Sequence, residues 1–203
     1  MLSYLRAVFA ATAVVVLFSG CAATKFESSW TNPEAGPLRF NKTLAVYMTS
    51  DESSRRIAED RLVQQIGPAR SAASYTLIPG AEMMDTEKAK EKVREAGFDG
   101  AVVMRVIEER QEVSYVPPTY YRSGYWGGYN SRGWRAAYDP GYLRTDKIVR
   151  VETNIYSLAE EKLIWSGVSE TFDPSSTGSM VDQIATAAAA ELQSRGLLAE
   201  KKK

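Results

Sequence analysis

Residues 148–171 read IVRVETNIYSLAEEKLIWSGVSET, and this stretch decides the fold. From 148 to 156, apolar or β-branched residues alternate with charged or polar ones, which predicts a strand with one buried face. The residues expected on that face are Val149, Val151, Thr153 and Ile155. A short turn at 159–161 precedes a second apolar run over 162–171, so the two runs are predicted to pair as an antiparallel hairpin with Trp165 in the core.

The chain before this hairpin alternates between strand and helix patterns. Strands are predicted at 44–48, 75–79 and 101–107, and helices at 50–66 and 85–96, each with an acidic or hydroxyl residue at its start. A last helix is predicted from a capping box at 179–182 to Gly196. The sequence therefore predicts a single α/β domain with a mixed sheet in the order βαβαβ-ββ-α, about five strands and three helices.

The first 21 residues have the pattern of an export signal. One positive charge, Arg6, precedes twelve small or apolar residues at 7–18, too few to span a bilayer as a helix but enough for a signal peptide. Ser19 and Gly20 then precede Cys21, which is the only cysteine. The alternative, an ordinary signal peptide or a buried helix with an incidental cysteine, is disfavoured by the position of Cys21 at the end of the apolar run.

Residues 17–21, Leu-Phe-Ser-Gly-Cys, resemble the lipobox of bacterial lipoproteins, although Phe18 replaces the commoner leucine. The resemblance implies cleavage after Gly20 and acyl chains on Cys21, and two or three such chains make a stable membrane anchor. Ala22 and Ala23 follow, with no aspartate, which in such lipoproteins implies the inner leaflet of the outer membrane, facing the periplasm.

These patterns predict four regions. Residues 1–20 are a signal peptide, 21–41 the lipidated cysteine and a flexible tether, 42–198 the α/β domain and 199–203 a charged tail. Within the tether, Phe26 and Trp30 are expected to dock on the domain as an added edge segment.

The composition removes most catalytic classes. The chain has no histidine, and its one cysteine is assigned to the anchor, so imidazole bases, His-activated nucleophiles and thiolate metal sites are excluded. We predict no catalytic residue, no cofactor and no metal. Carboxylate chemistry stays open at Glu108, Glu109, Glu112 and Asp139, whereas Asp99 is expected to form a turn.

Residues 115–142 differ in composition from the rest of the chain. They hold seven of the 11 tyrosines, two of the four tryptophans and five glycines, with three arginines and one acidic residue. A mobile loop and a binding surface are both open, since long inserts are commonly one or the other. The candidate binding residues are Tyr120, Tyr121, Arg122, Tyr125, Trp126, Tyr129, Arg132, Trp134 and Arg135. Nucleic acid is not expected as a partner, because the export signal separates the protein from it, and the periodicity does not fit a membrane-spanning hairpin.

Motifs outside the signal resemble those of uncharacterised proteobacterial periplasmic lipoproteins: Ser29-Trp30, Phe40-Asn41-Lys42, the residues 97–100 (Gly-Phe-Asp-Gly) and 163–165 (Leu-Ile-Trp). The element order is similar to that of the amino-terminal domain of TolB and of lipoprotein activators of cell-wall synthases. This resemblance implies a non-catalytic interaction module with an envelope protein as its partner. The alternatives are a peptidoglycan or glycan binder, a carboxylate-dependent cell-wall enzyme, and a subunit of an envelope secretion or assembly complex.

Overall fold

The computed structural model describes residues 24–79, 86–117 and 142–198. The described residues contain six strands and three α-helices. The strands are β1 (Thr24–Thr31), β2 (Thr43–Met48), β3 (Ser71–Ala73), β4 (Gly100–Val116), β5 (Tyr142–Ser157) and β6 (Lys162–Phe172). The helices are α1 (Glu52–Ile66), α2 (Thr86–Glu95) and α3 (Thr177–Ser194), and one 3₁₀ turn covers Ser74–Thr76.

All six strands form one sheet in the order β1-β6-β5-β4-β2-β3. The pairs β2–β3 and β2–β4 are parallel, and β4–β5, β5–β6 and β1–β6 are antiparallel. The predicted mixed α/β fold is therefore confirmed, as is the hairpin of β5 and β6. The strand count of six, against about five expected, differs because β1 joins the sheet, while β3 (Ser71–Ala73) takes the place of the strand predicted at 75–79.

Strand β1 lies where a flexible tether was predicted. Thr24 pairs with Thr171 and Thr31 with Trp165, so this part of the segment 21–41 is an edge strand along β6. Flexibility does not hold for Thr24–Thr31, because its main chain is bonded to β6 and the Phe26 ring packs edge-on against Trp165, 5.4 Å between ring centroids. The expected docking of Phe26 and Trp30 as an edge segment agrees with this arrangement.

Helices α1 and α3 cover one face of the sheet. Their apolar residues pack on the face that carries the alternating residues of β5 and residues of β2 and β4. The fully buried members of this core include Ala45, Ala58, Leu62, Met104, Val151, Val181 and Ile184. Trp165, Ile155, Ala188 and Leu192 continue the core toward the end of α3.

Helix α2 packs on the opposite face, but only at one end of it. Val93 and Ala96 contact a small cluster of Leu44, Phe98 and Ala101. Gly97 follows with φ of 73°, a left-handed conformation that ends the helix as predicted. Most of this second face of the sheet therefore has no helix over it within the described residues.

Two of the motifs noted above meet at the start of β4. The carboxylate of Asp99 accepts hydrogen bonds from the backbone N–H groups of Asn41 and Lys42, both at 2.8 Å. Burial raises the pKa of Asp99, but these bonds and one from the Asn41 side chain outweigh it and hold the pKa below its usual value. Gly100 lies under the Phe40 ring, where a Cβ would approach within 2.4 Å. Asp99 therefore does not form the predicted turn but joins the segment before β2 to the start of β4, and these motifs are structural.

Four predicted elements need correction. Residues 75–79 are not a strand, because Glu59 binds the Ser74 hydroxyl and the Tyr75 backbone N–H and holds a 3₁₀ turn there. The last helix begins at Thr177, and its cap is Ser176, whose hydroxyl accepts from the N–H of Ser179. Strands β4 and β5 extend to Val116 and from Tyr142, well beyond the predicted 101–107 and 148–156.

The extensions of β4 and β5 form a two-stranded ribbon. Strand β6 ends at Phe172, opposite Ile148, so beyond this point only β4 and β5 pair. We call residues 111–116 and 142–147 the ribbon. Its register places Gln111 opposite Lys147 and Val116 opposite Tyr142.

Candidate interaction surface

The sheet face that α1 and α3 leave uncovered is the candidate functional surface, and we call it the open face. Each strand contributes alternate residues to it. The strand registers bring Trp30, Ser166, Asn154 and Val103 into one row and Val168, Glu152, Arg105 and Met48 into the next. Side chains from five strands thus form a continuous surface that no single segment of the sequence displays.

A shallow cavity of about 420 Å³ lies at the centre of the open face. Its lining combines polar and apolar side chains: Met48, Val103, Arg105, Glu152, Asn154, Tyr156, Leu163 and Ser166. A cavity with several convergent polar groups on a rigid sheet is the usual setting of a ligand or partner site.

Polar groups within this cavity are held in place by the sheet. Arg105 and Glu152 are directly opposite on β4 and β5 and form an ion pair through the Arg105 Nε. The Oδ1 atom of Asn154 is buried and has no hydrogen-bond partner among the residues that the structure describes. An acceptor in this condition costs about 1–3 kcal/mol unless a donor reaches it. The cavity therefore offers an unsatisfied acceptor beside a fixed pair of charges.

Apolar side chains flank the polar centre. Trp30 is 48% exposed on one side, and Met48 is 53% exposed on the other. Large exposed apolar side chains around a polar centre are typical of surfaces that bind another molecule. The open face therefore has both apolar anchors and fixed polar groups.

A chain of alternating charges runs along the open face toward the ribbon. Arg150 bridges Glu108 and Glu27, at 2.6 Å and 2.7 Å, and Arg110 reaches Glu170 at 3.1 Å. The hydrogen bond from Arg150 lowers the pKa of Glu108, and Glu108 in turn raises the pKa of Arg150. Arg150, Glu108 and Glu27 are paired charges, so they form a fixed electrostatic surface.

Glu27 and Glu170 are acids on neighbouring strands that lie close enough to perturb each other's titration. The interaction with Glu27, together with burial, raises the pKa of Glu170, whereas the interactions with Glu170 and Arg150 lower the pKa of Glu27. Glu170 is buried at 3% exposure. The pair comes from β1 and β6, which are far apart in the sequence, so no spacing in the sequence could have indicated it.

Stability should depend on the proton held by Glu170. Its raised pKa means that the protonated acid stabilises the fold fully below about pH 4.3, the unfolded value, and less as the pH rises through the folded value. The variant Glu170→Gln keeps a donor for Glu27 but cannot ionise. We expect the difference in unfolding free energy, wild type minus variant, to decrease from pH 4 upward. Urea denaturation across that range measures it, and a constant difference would contradict the assignment.

Glu27 acts in the opposite direction. Its lowered pKa contributes stability that is fully present above its unfolded value, about pH 4.3, and is lost as the pH falls through the folded value, so it adds a constant only at higher pH.

A second depression lies between α2 and the turn that joins β5 to β6. It has a volume of about 680 Å³ and an apolar floor that includes Leu44, Phe98 and Tyr156. Arg94 of α2 pairs with Glu161 of the turn, 3.3 Å apart. This pair ties the helix to the turn across the depression, which favours a structural role.

The described carboxylates considered as candidates for catalysis do not lie together in the structure. Glu108 pairs with Arg150 on the open face, whereas Glu109 points to Lys147 at 3.1 Å. Glu112 lies in the ribbon and is exposed. These three residues do not converge on a cavity. Asp139 lies outside the described residues.

The other predicted site residues also lie outside the described residues. They are Ser19, Gly20 and Cys21 of the proposed anchor, and the aromatic and arginine candidates Tyr120, Tyr121, Arg122, Tyr125, Trp126, Tyr129, Arg132, Trp134 and Arg135. Their roles stay predictions.

The described residues contain neither a metal site nor a membrane-spanning helix. In 24–79, 86–117 and 142–198, no group of three or more acidic, cysteine or histidine side chains is placed to hold a metal ion. Over the same ranges, no helix has the length and apolar character needed to cross a membrane.

Comparison with solved structures found similar folds at low identity. The PelC dodecamer from Paraburkholderia phytofirmans is 16% identical, with a TM-score of 0.46 over 88% of this chain and 99% of that chain. A variant PelC dodecamer from the same organism is 14% identical, with a TM-score of 0.44 over 85% and 99%. Lipoprotein GNA1162 from Neisseria meningitidis is 13% identical, with a TM-score of 0.33 over 75% and 98%. Because both measures are low, we transfer no partner or assembly from these proteins.

A scan against protein-family models and a search of curated proteins found no match.

Proposed function

We propose that this chain is a non-catalytic accessory protein of the bacterial cell envelope, which binds an envelope partner through the open face. The observation that carries the proposal is the open face itself. One face of the sheet is packed under α1 and α3, and the other presents Trp30, Met48 and a fixed polar centre to solvent. Exposed apolar side chains grouped on one surface typically mark a site that binds another molecule.

The preorganisation of the open face supports binding. Arg105 and Glu152 are held opposite each other by the register of β4 and β5, and Trp30 and Ser166 by the register of β1 and β6. Groups that are already fixed lose little conformational freedom when a partner binds. The partner would therefore meet a rigid surface with two apolar anchors and one charged pair.

The location belongs to the same proposal. The lipobox-like residues 17–21 direct the attachment of acyl chains to Cys21, and these chains hold the domain at the inner leaflet of the outer membrane, facing the periplasm. The TolB-like element order and the aromatic candidates at 120–135 stay predictions that this arrangement leaves open.

Site-directed photocrosslinking in intact cells tests the role of the open face. A photocrosslinking amino acid is placed at position 30 or 48, and at position 57 as the matched control. Ile57 is 50% exposed, like Trp30 and Met48, but lies on α1. We expect positions 30 and 48 to yield an adduct with the same protein and position 57 to yield none. Equal adducts at all three positions, or none at 30 and 48, would contradict the proposal.

The aromatic insert is tested in the same experiment. Deleting residues 124–137 removes Tyr125, Trp126, Tyr129, Trp134, Arg132 and Arg135 but leaves every described residue in place. If the insert contributes to partner binding, adduct yield at position 30 falls in the deletion variant while its thermal unfolding stays unchanged.

A second function, glycan binding, is favoured by the composition of the central cavity. Arg105, Glu152 and Asn154 offer planar hydrogen-bonding groups beside the Tyr156 ring, and the Asn154 acceptor lacks a donor. Sugar hydroxyl groups would supply that donor. Co-sedimentation of the mature protein with purified peptidoglycan tests this function, with Arg105→Ala as the site variant and Arg56→Ala, another exposed and ion-paired arginine, as the control.

The outcomes of this assay are distinct. Sedimentation lost only in Arg105→Ala would support glycan binding through the cavity. Released soluble fragments would instead indicate a cell-wall enzyme, and the absence of both leaves the protein partner as the function.

A further inference from the structure

The end of the sheet that carries the ribbon is also the end that leads to Cys21. Strand β1 begins at Thr24 opposite Thr171, next to Phe172, which lies opposite Ile148. Residues before Thr24 therefore leave the sheet at the edge from which the ribbon extends. Cys21 is three residues before Thr24, a distance of at most about 11 Å even for an extended chain.

The ribbon extends further than this short connection. From Ile148 to Tyr142 it continues for six residues, about 20 Å at the rise of a β-strand. If acyl chains on Cys21 hold that residue at the membrane surface, the sheet end lies within about 11 Å of it. A ribbon of about 20 Å at the same end then meets the bilayer.

The two faces of the ribbon differ in polarity. Val113 lies opposite Thr145 and Tyr115 opposite Leu143, so these four side chains share one face. Glu112 lies opposite Asp146 and Ser114 opposite Arg144, and these four share the other face. The remaining two pairs depart from this pattern, since Gln111–Lys147 lies at the base of the first face and Val116–Tyr142 at the end of the second. Beyond its base the ribbon therefore has one apolar face, and its other face is charged up to the last pair.

The apolar face is largely accessible to solvent. Val113, Tyr115 and Leu143 are 60%, 58% and 69% exposed. A two-stranded ribbon is marginally stable alone in water, and contact with an apolar phase would stabilise it. Tyrosine at the level of the lipid headgroups is typical of membrane interfaces, and Tyr115 and Tyr142 lie at the tip.

We propose that the ribbon is a membrane-contact element, which lies in the lipid leaflet that anchors Cys21 with its Val113, Tyr115 and Leu143 face toward the acyl chains. The inference rests on the proposed lipid anchor and adds a second point of attachment. Two contacts at one end of the sheet fix how the domain is oriented, so the opposite end, with the turn at 159–161, points away from the bilayer.

Depth-dependent fluorescence quenching of the full lipidated chain tests this orientation. Acylation consumes the Cys21 thiol, so a single introduced cysteine takes an environment-sensitive label without competition. The labelled variants are Val113→Cys and Leu143→Cys on the apolar face, Ser114→Cys on the charged face and Glu160→Cys at the opposite end of the sheet. They are placed in vesicles of phosphatidylethanolamine and phosphatidylglycerol that contain spin-labelled lipid.

We expect strong quenching at 113 and 143, weaker quenching at the adjacent position 114, and none at 160. Equal quenching at 113 and 160 would overturn the proposal. Absence of quenching together with crosslinks between two copies at position 143 would also overturn it, in favour of a second copy as the occupant.

Failure of the anchor is distinguishable from failure of the ribbon. Without acylation, the unsubstituted chain takes up the thiol label at Cys21 and does not float with vesicles. With acylation, it floats and stays unlabelled, and the quenching pattern then concerns the ribbon alone.

Discussion

Replacing Glu59 with alanine should lower the free energy of unfolding by about 3–5 kcal/mol, because it removes the buried counter-ion of a buried arginine. Glu59 is fully buried, and Arg55, one turn earlier in α1, is 1% exposed. The Glu59 carboxylate accepts from the Arg55 Nε at 3.2 Å, the Tyr47 N–H at 3.1 Å, the Ser74 hydroxyl at 2.6 Å and the Tyr75 N–H at 2.8 Å. Its loss therefore leaves four donors to be satisfied at once.

Chemical denaturation of Glu59→Ala and of a matched control measures this effect. Glu52 belongs to the same helix and pairs with Arg55 and Arg56, but it is 48% exposed. Glu52→Ala should cost no more than about 1 kcal/mol. The double variant Arg55→Met/Glu59→Leu, which removes both charges, should recover only part of the loss, because the Tyr47 N–H, the Ser74 hydroxyl and the Tyr75 N–H still lack their acceptor. Equal effects of the two glutamate variants would contradict the buried network.

Replacing Trp165 with alanine should cost about 3–5 kcal/mol, since it removes a large fully buried side chain from the core. The ring packs against Ile155 of the neighbouring strand and Leu192 of α3, and edge-on against Phe26 of β1. The variant should therefore also weaken the attachment of β1. Hydrogen exchange of the β1 amides would detect that loss as faster exchange than in the rest of the sheet.

Trp30→Ala is the control for Trp165→Ala. Trp30 is the same residue type, but it lies on the open face and is 48% exposed, so its loss should change stability by less than about 1 kcal/mol. A large destabilisation by Trp30→Ala would mean that Trp30 supports the fold and is not available to a partner.

The sequence indicates the elements whose pattern is local. Strands β5 and β6 alternate with a period of two, and α1 has its cap, its acidic first residue and apolar positions at helical spacing. In each case the residues that decide the structure are neighbours, so reading the chain was enough to predict them.

Strand β1 carries no such pattern. A bulge between Phe26 and Ser28 shifts the register, so Phe26 lies on the core face and Trp30 on the open face. The strand is held by main-chain bonds to β6, by the ring contact of Phe26 and by side-chain bonds such as Glu27–Arg150 and Ser29–Glu191, none of which leaves a periodic signal. For the same reason the sequence suggested a tether there.

The open face was not predictable because it depends on register. Trp30, Asn154 and Ser166 become neighbours only when β1, β5 and β6 are paired in their observed alignment. The pairing in the ribbon was not predictable either. The composition of residues 115–142 indicates an insert and gives no sign that its two ends continue β4 and β5. The short apolar run at 75–79 predicted a strand that does not form, because Glu59 binds the Tyr75 backbone N–H and holds a 3₁₀ turn there.

The proposed lipid anchor on Cys21 places the protein in the envelope and brings the ribbon to the membrane, and mass spectrometry of the protein extracted from cell membranes tests it. We expect a mature chain of 183 residues, 203 less the 20 of the signal, that begins at Cys21 and carries acyl chains on its sulfur and amino group. A chain that retains residues 1–20, or one that begins elsewhere and has a free thiol at Cys21, would contradict it.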